Sequence, residues 1–149
     1  MRKIIFIIFP VLLIIASCGR IKQSPSDKMI LLKTDQDFSL MSMEKGMKAA
    51  FLFYAADEVI KMREGKQPLF GIKELAKSFE GFPDNKISLQ WIPVKADVSD
   101  NLGYTFGKWE LRVSDPASVQ YGTYVTIWKK QENGSWKFVL DAGNSGPRP

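Results

Sequence analysis

The stretch that most constrains the fold is Tyr121 to Asp141, which reads as two strands joined by a tight turn. Asn133-Gly134 is the strongest short-range hairpin signal, because a type I′ turn needs positive φ at both central residues. With those two residues as the loop, Glu132 faces Ser135. The pairs then run outward as Gln131 with Trp136, Lys129 with Phe138 and Ile127 with Leu140. That register puts Ile127, Trp136, Phe138 and Leu140 on one face and Tyr124, Trp128 and Val139 on the other. A hairpin with bulky groups on both faces needs cover on both sides.

The residues before it supply one kind of cover. Ile87 to Asp97, Gly103 to Val113, Tyr121 to Gln131 and Ser135 to Asp141 are four consecutive strand candidates, with Asp100-Asn101 and Asp115-Pro116 as intervening turns. Short turns between consecutive strands make an antiparallel meander. Ile87, Leu89 and Trp91 share one face of the first strand, and Trp109, Leu111 and Val113 one face of the second; Tyr104 and Phe106 point the opposite way. Pro93 cannot donate to a ladder and marks a bulge or an edge. Gly103 and Gly107 lie on the face of Trp109 and permit strong curvature.

Helical patterns come earlier. Thr34 reads as a cap with Asp37 three residues on; Asp35 and Asp37 suit the positive end of a helix dipole, and Gly46 fits the stop. Phe38 and Met41 share a face of this helix. Met47, Ala50, Phe51 and Tyr54 form the apolar stripe of a second helix, and Ile72, Leu75, Ala76 and Phe79 that of a third opening at Gly71. Asp57 to Met62 reads as an inserted strand, with Gly65 and Pro68 punctuating a loop. Helices first and then a curved antiparallel sheet is an α+β layout. The natural packing wraps the sheet around about three helices and leaves a conical cavity.

The amino terminus reads differently. Met1-Arg2-Lys3 is a positive n-region, and Ile4 to Ile15 is an apolar h-region interrupted by Pro10. That run is short of the about 20 residues a spanning helix needs. Ile15-Ala16-Ser17-Cys18 resembles the bacterial lipobox. The resemblance implies cleavage before Cys18, lipidation of its thiol and attachment to a membrane of the bacterial envelope, with the leaflet left open. Residues 1–17 are then a signal peptide, 18–33 a lipidated cysteine and tether with Ser24-Pro25-Ser26 as its flexible part, and 34–149 the domain.

Composition removes several function classes. The chain contains no histidine, so Ser-His-Asp and Cys-His pairs are excluded and the commonest zinc ligand is missing. No metal or cofactor is called for. Cys18 is the single cysteine and cannot form an internal disulfide. The formal charge of +5 falls to +3 without Arg2 and Lys3. Within the domain the longest basic pair is Lys129-Lys130, which is no footprint for nucleic acid.

Thr34-Asp35-Gln36-Asp37-Phe38, Lys45-Gly46, Ala50-Phe51, Gln67-Pro68-Leu69-Phe70-Gly71, Leu102 to Trp109 and Trp128 to Lys137, in that order and spacing, resemble the nuclear transport factor 2-like superfamily. Its SnoaL-like and ketosteroid-isomerase-like small bacterial domains match best. The resemblance implies a cystatin-like cone with a pocket at the wide end and frequent dimerisation through the outer sheet face. Isomerases of that superfamily use a carboxylate base, a helix tyrosine and a protonated Asp. By hand alignment those positions fall near Lys61-Met62, Ser39 and Trp128, none of which carries the required group. The expectation is a non-catalytic domain that holds a small apolar or amphipathic ligand among Phe51, Tyr54, Trp91, Trp109, Tyr124 and Trp128. The alternative is an isomerase, dehydratase or hydrolase using Asp57 or Asp141. Lys108, Glu110 and Arg112 read as surface charges.

Overall fold

A computed structural model describes residues 25–81, 87–113 and 119–146. Cys18, the signal segment and the Asp115-Pro116 turn lie outside the described residues. The first helix, α1, spans Pro25–Lys45 and so begins well before Thr34. Residues 25–33 therefore belong to the folded domain rather than to a tether, and Leu31 among them is fully buried. Thr34 does not cap. Its hydroxyl donates to the Ile30 carbonyl one turn back, at 3.0 Å. The early start is hard to read because the buried face of α1 mixes Leu31 and Phe38 with Asp35, Ser39 and Ser42. An apolar-periodicity criterion finds no stripe there.

Helix α2 (Met47–Tyr54), strand β1 (Ala55–Arg63), β2 (Lys66–Phe70) and α3 (Gly71–Ser78) follow. Strand β2 replaces the expected loop. It pairs antiparallel with β1 at the sheet edge, where Pro68 is tolerated because one side needs no donor. Strands β3 (Ile87–Ser99), β4 (Leu102–Val113), β5 (Val119–Lys130) and β6 (Trp136–Gly146) complete a six-stranded sheet in the order β2-β1-β6-β5-β4-β3. The β3 to β6 meander is antiparallel as expected, whereas β1 joins β6 in parallel. The expected irregularity at Pro93 is a register shift between Pro93 and Lys95.

Helices α1 and α3 pack on one side of the sheet. Phe38 of α1 sits at the centre of the core, with ring centroids 4.9 Å from Phe51, 4.5 Å from Trp91 and 5.4 Å from Phe138. Ser39 fastens the same helix to the β3 backbone. Its hydroxyl donates to the Trp91 carbonyl at 2.8 Å and accepts from the Trp91 amide at 2.9 Å.

The β5–β6 hairpin corrects the sequence reading. Gly134 has φ 84°, but Asn133 does not have positive φ, so the loop is not type I′. The Gly134 amide donates to the Gln131 carbonyl, and the Gln131 amide donates to the Ser135 carbonyl. This is a three-residue loop, a turn through Glu132 and Asn133 followed by a left-handed glycine. The Asn133 side chain accepts from both the amide and the hydroxyl of Ser135, which favours this turn. Trp136 then pairs with Lys130 and Phe138 with Trp128; a shift between Ile127 and Trp128 restores the expected pairing of Ile127 with Leu140. The one-residue slip brings Trp136 and Phe138 onto the same buried face as Tyr124 and Trp128.

A Cβ on Gly134 would meet nothing within 4 Å, so Gly134→Ala suffers only the left-handed backbone cost. It should lower unfolding stability by about 1 kcal/mol while Gly134→Asn stays within a few tenths, as measured by urea titration.

Candidate functional site

A cavity of about 340 Å³ opens between the sheet and the start of α2. Its apolar wall includes Phe38, Phe51, Leu89, Trp91, Trp109 and Tyr124. Two glycines make room for the aromatics. A Cβ on Gly107 would lie 2.7 Å from the Tyr124 ring, and one on Gly122 would lie 2.4 Å from the Trp109 ring. The Trp109 indole is fixed by donation to the Thr123 carbonyl at 3.1 Å.

The polar part of the wall comes from neighbouring strands. Lys61 of β1 pairs with Asp141 of β6, opposite which it sits in the parallel register. The Thr126 hydroxyl donates to the other Asp141 oxygen at 2.5 Å. Asp141 is buried and both of its oxygens are engaged. The Lys61 ammonium also lies 5.3 Å from the Phe51 ring centroid. The rim carries Arg63, which donates to the Gln67 carbonyl, and Glu64, which accepts from the amide and hydroxyl of Ser145.

Behind the wall lies a second carboxylate. Asp35, in the middle of α1, is fully buried. It accepts from the Trp91 indole at 2.7 Å and from the Tyr124 hydroxyl at 2.6 Å. Thr105 also hydrogen-bonds it and in turn accepts from the Trp128 indole at 2.9 Å. Burial raises the Asp35 pKa to about 6, although these donors favour the charged form and pull it the other way. Burial and the adjacent Asp35 carboxylate push the Tyr124 hydroxyl far above the usual phenol range, so it stays protonated and donating.

The expected pocket residues divide. Phe51, Trp91, Trp109 and Tyr124 line the cavity. Trp128 does not; it is fully buried in the core, 6.0 Å from the Phe138 ring. Tyr54 is half-buried beside Phe53 and Phe38 and also lies off the cavity wall. Of the two carboxylates proposed for chemistry, Asp141 is on the wall, while Asp57 is exposed and off it. Of the aligned isomerase positions, Lys61 and Met62 line the cavity, but Ser39 and Trp128 are core residues. Arg112 pairs with Glu110 on the surface, as expected. Sequence reasoning took Asp35 for a helix-dipole residue because it placed the helix start at Thr34. The available signal was its spacing, since Leu31, Asp35, Phe38 and Ser42 recur at helical intervals on one face.

No family model and no curated protein matches the chain. Solved structures do. An NTF2-like protein of unknown function from Pseudomonas putida superposes with a TM-score of 0.71 at 8% identity, covering 83% of this chain and 89% of that one. A ketosteroid isomerase-like protein from Erwinia carotovora atroseptica gives 0.62 at 14% identity, covering 79% and 96%. An LEH-like epoxide hydrolase from M. tuberculosis gives 0.58 at 7% identity, covering 80% and 85%. The domain has the nuclear transport factor 2-like fold. Proteins of that fold include enzymes and proteins without an assigned activity, so fold alone assigns none here.

Asp35 gives the domain a pH signature. The unfolded carboxyl titrates near 3.8 and the folded one near 6, so between those values the folded state holds the extra proton. Stability should therefore fall as pH rises through that window and level off above it, by on the order of 3 kcal/mol in all. Asp35→Asn should remove this slope in chemical denaturation between pH 4 and about 7. The lowered pKa values of exposed Glu64 and Asp97 act in the opposite sense, below their ordinary values of 4.5 and 3.8, so they touch only the acidic end of this range.

Proposed function

We propose that the chain is a lipid-anchored protein of the bacterial envelope whose domain binds a small apolar or amphipathic ligand in the cavity. The observation that carries this reading is the make-up of the cavity wall. It is aromatic and aliphatic over most of its extent, with the neutralised Lys61, Asp141 and Thr126 cluster on the wall and Arg63, Glu64, Asn144 and Ser145 at the rim. Small-molecule pockets combine an apolar lining with few polar groups in this way. The lipobox resemblance at Ile15 to Cys18 supports the anchor.

The catalytic alternative rests on Asp141, since Asp57 faces solvent. Asp141 is already committed to Lys61 and Thr126. A carboxylate so held is better suited to fixing Lys61 as a donor towards the cavity than to removing a proton from a ligand.

A second copy is the partner favoured for the outer side of the sheet. Tyr104, Ile127, Leu140, Ile60 and Phe70 are successive cross-strand neighbours from β4 to β2. Beside them Phe106 and Val125 are exposed. Such a continuous apolar row suits an isologous contact. Sedimentation at rising concentration should give a dimer that Phe106→Lys weakens; a monomer throughout would remove this proposal.

Ligand binding is tested by melting the protein with small amphiphiles of graded polarity and with envelope extracts. A true ligand at 100 times its Kd adds about 2.7 kcal/mol and raises the midpoint. Leu111→Trp, which narrows the cavity at its lining, should abolish that rise. If nothing raises the midpoint, or if the blocked variant responds equally, the cavity reading fails.

A further inference from the structure

We infer that the narrow end of the domain is a second membrane contact, which seats the protein on the bilayer with its cavity turned away from the lipid. The inference builds on the lipid-anchor reading and adds an orientation to it.

Helix α1 runs along β3, and its two ends mark the two ends of the domain. Near its carboxyl end the Ser42 hydroxyl donates to the Leu89 carbonyl, and Leu89 lines the cavity. At the other end Leu31 packs against Gly103 and Val98, and Lys28 pairs with Asp97 at 2.8 Å. The sixteen helical steps from Met29 to Lys45 span about 24 Å. The β3 path from Leu89 to Val98, less the bulge near Pro93, spans roughly 27 Å. The cavity and the Met29 end are thus separated by most of the length of the domain.

The Met29 end exposes apolar side chains. Met29 is 70% exposed, Ile30 49% and Leu102 49%. Leu102 pairs across the sheet with exposed Lys129, whose ammonium can reach headgroups while its stem lies over lipid. Lys28 is balanced by Asp97, and exposed Asp100 in the adjoining turn offsets Lys129, so the apolar residues sit among groups of little net charge, which suits a zwitterionic bilayer.

The length of the intervening chain selects the occupant. Only residues 19–24 separate Cys18 from the start of α1. Even fully extended, the seven steps from Cys18 to Pro25 reach at most roughly 25 Å. A lipidated Cys18 therefore holds Met29, Ile30 and Leu102 permanently near the membrane surface. At such an effective concentration a contact too weak to recruit a free protein becomes populated. The wide end, a domain length away, opens to the aqueous side, so its ligand arrives from solution.

The test uses the full-length lipidated protein in phosphatidylcholine vesicles. Lipidation blocks Cys18, the single native thiol, so Met29→Cys, Leu102→Cys and Met62→Cys each accept one environment-sensitive fluorophore. All three positions are exposed, and Met62 lies at the cavity. Labels at 29 and 102 should emit to the blue and be quenched by spin-labelled lipid. The label at 62 should be quenched by aqueous iodide alone. Met29→Glu with Ile30→Glu should return the label at 102 to water while the protein stays on the vesicles. All three labels in water, lipid quenching at 62, or a label at 29 shielded from both quenchers would each overturn the inference. The anchor is tested separately by Cys18→Ser, expected to release the protein. If that variant still floats with vesicles, the anchor reading fails, and its label at 29 decides the seating on its own.

Discussion

Helix α1 is held to the sheet by a carboxylate that has no contact with water. Asp35 gathers donors from β3, β4 and β5 through Trp91, Thr105 and Tyr124. Leaving any of these buried donors unpaired costs about 1–3 kcal/mol, so the four groups keep or lose their places together. Burying a charge is itself costly, and the raised Asp35 pKa records that cost. The network fixes the rotation of α1, which places Phe38 among the core rings. It also fixes Trp91 and Tyr124, two of the aromatic walls of the cavity. Core order and cavity shape therefore share one polar origin.

The cavity itself comes from local departures from regular pairing. The bulge at Pro93 bends the edge strand. Gly107 and Gly122 let rings lie directly on the sheet where any side chain would collide. The parallel pairing of β1 with β6 brings Lys61 to Asp141, residues eighty apart in sequence. That pair keeps the polar part of the wall electrically neutral, in keeping with an otherwise apolar surface.

Much of this was legible in local patterns. Strands β3 to β6 alternate with clear turns between them, and the stripes of α2 and α3 recur at helical spacing. The misreadings have definite causes. The Asn133-Gly134 dipeptide fits a two-residue turn, but Asn133 bonds Ser135 and a three-residue loop results. The slip turns Trp136 and Phe138 onto the face of Trp128 and Tyr124, because side-chain direction reverses with each residue. With Phe138 packed beside it, Trp128 fills the core instead of lining a pocket. Helix α1 hid its first nine residues, 25–33, because a polar buried face has no apolar period.

By itself the sequence determined the order of elements, the curved α+β sheet and the absence of histidine chemistry, since these depend on residue type and short-range spacing. It also carried the lipobox resemblance at Cys18. Tertiary structure alone decided which polar residues are buried and with whom. Asp35 and Asp141 look like any surface carboxylates in the chain. Only the folded sheet assembles their donors from distant strands, because hydrogen-bond partners are chosen by position in space and leave no periodic trace in sequence.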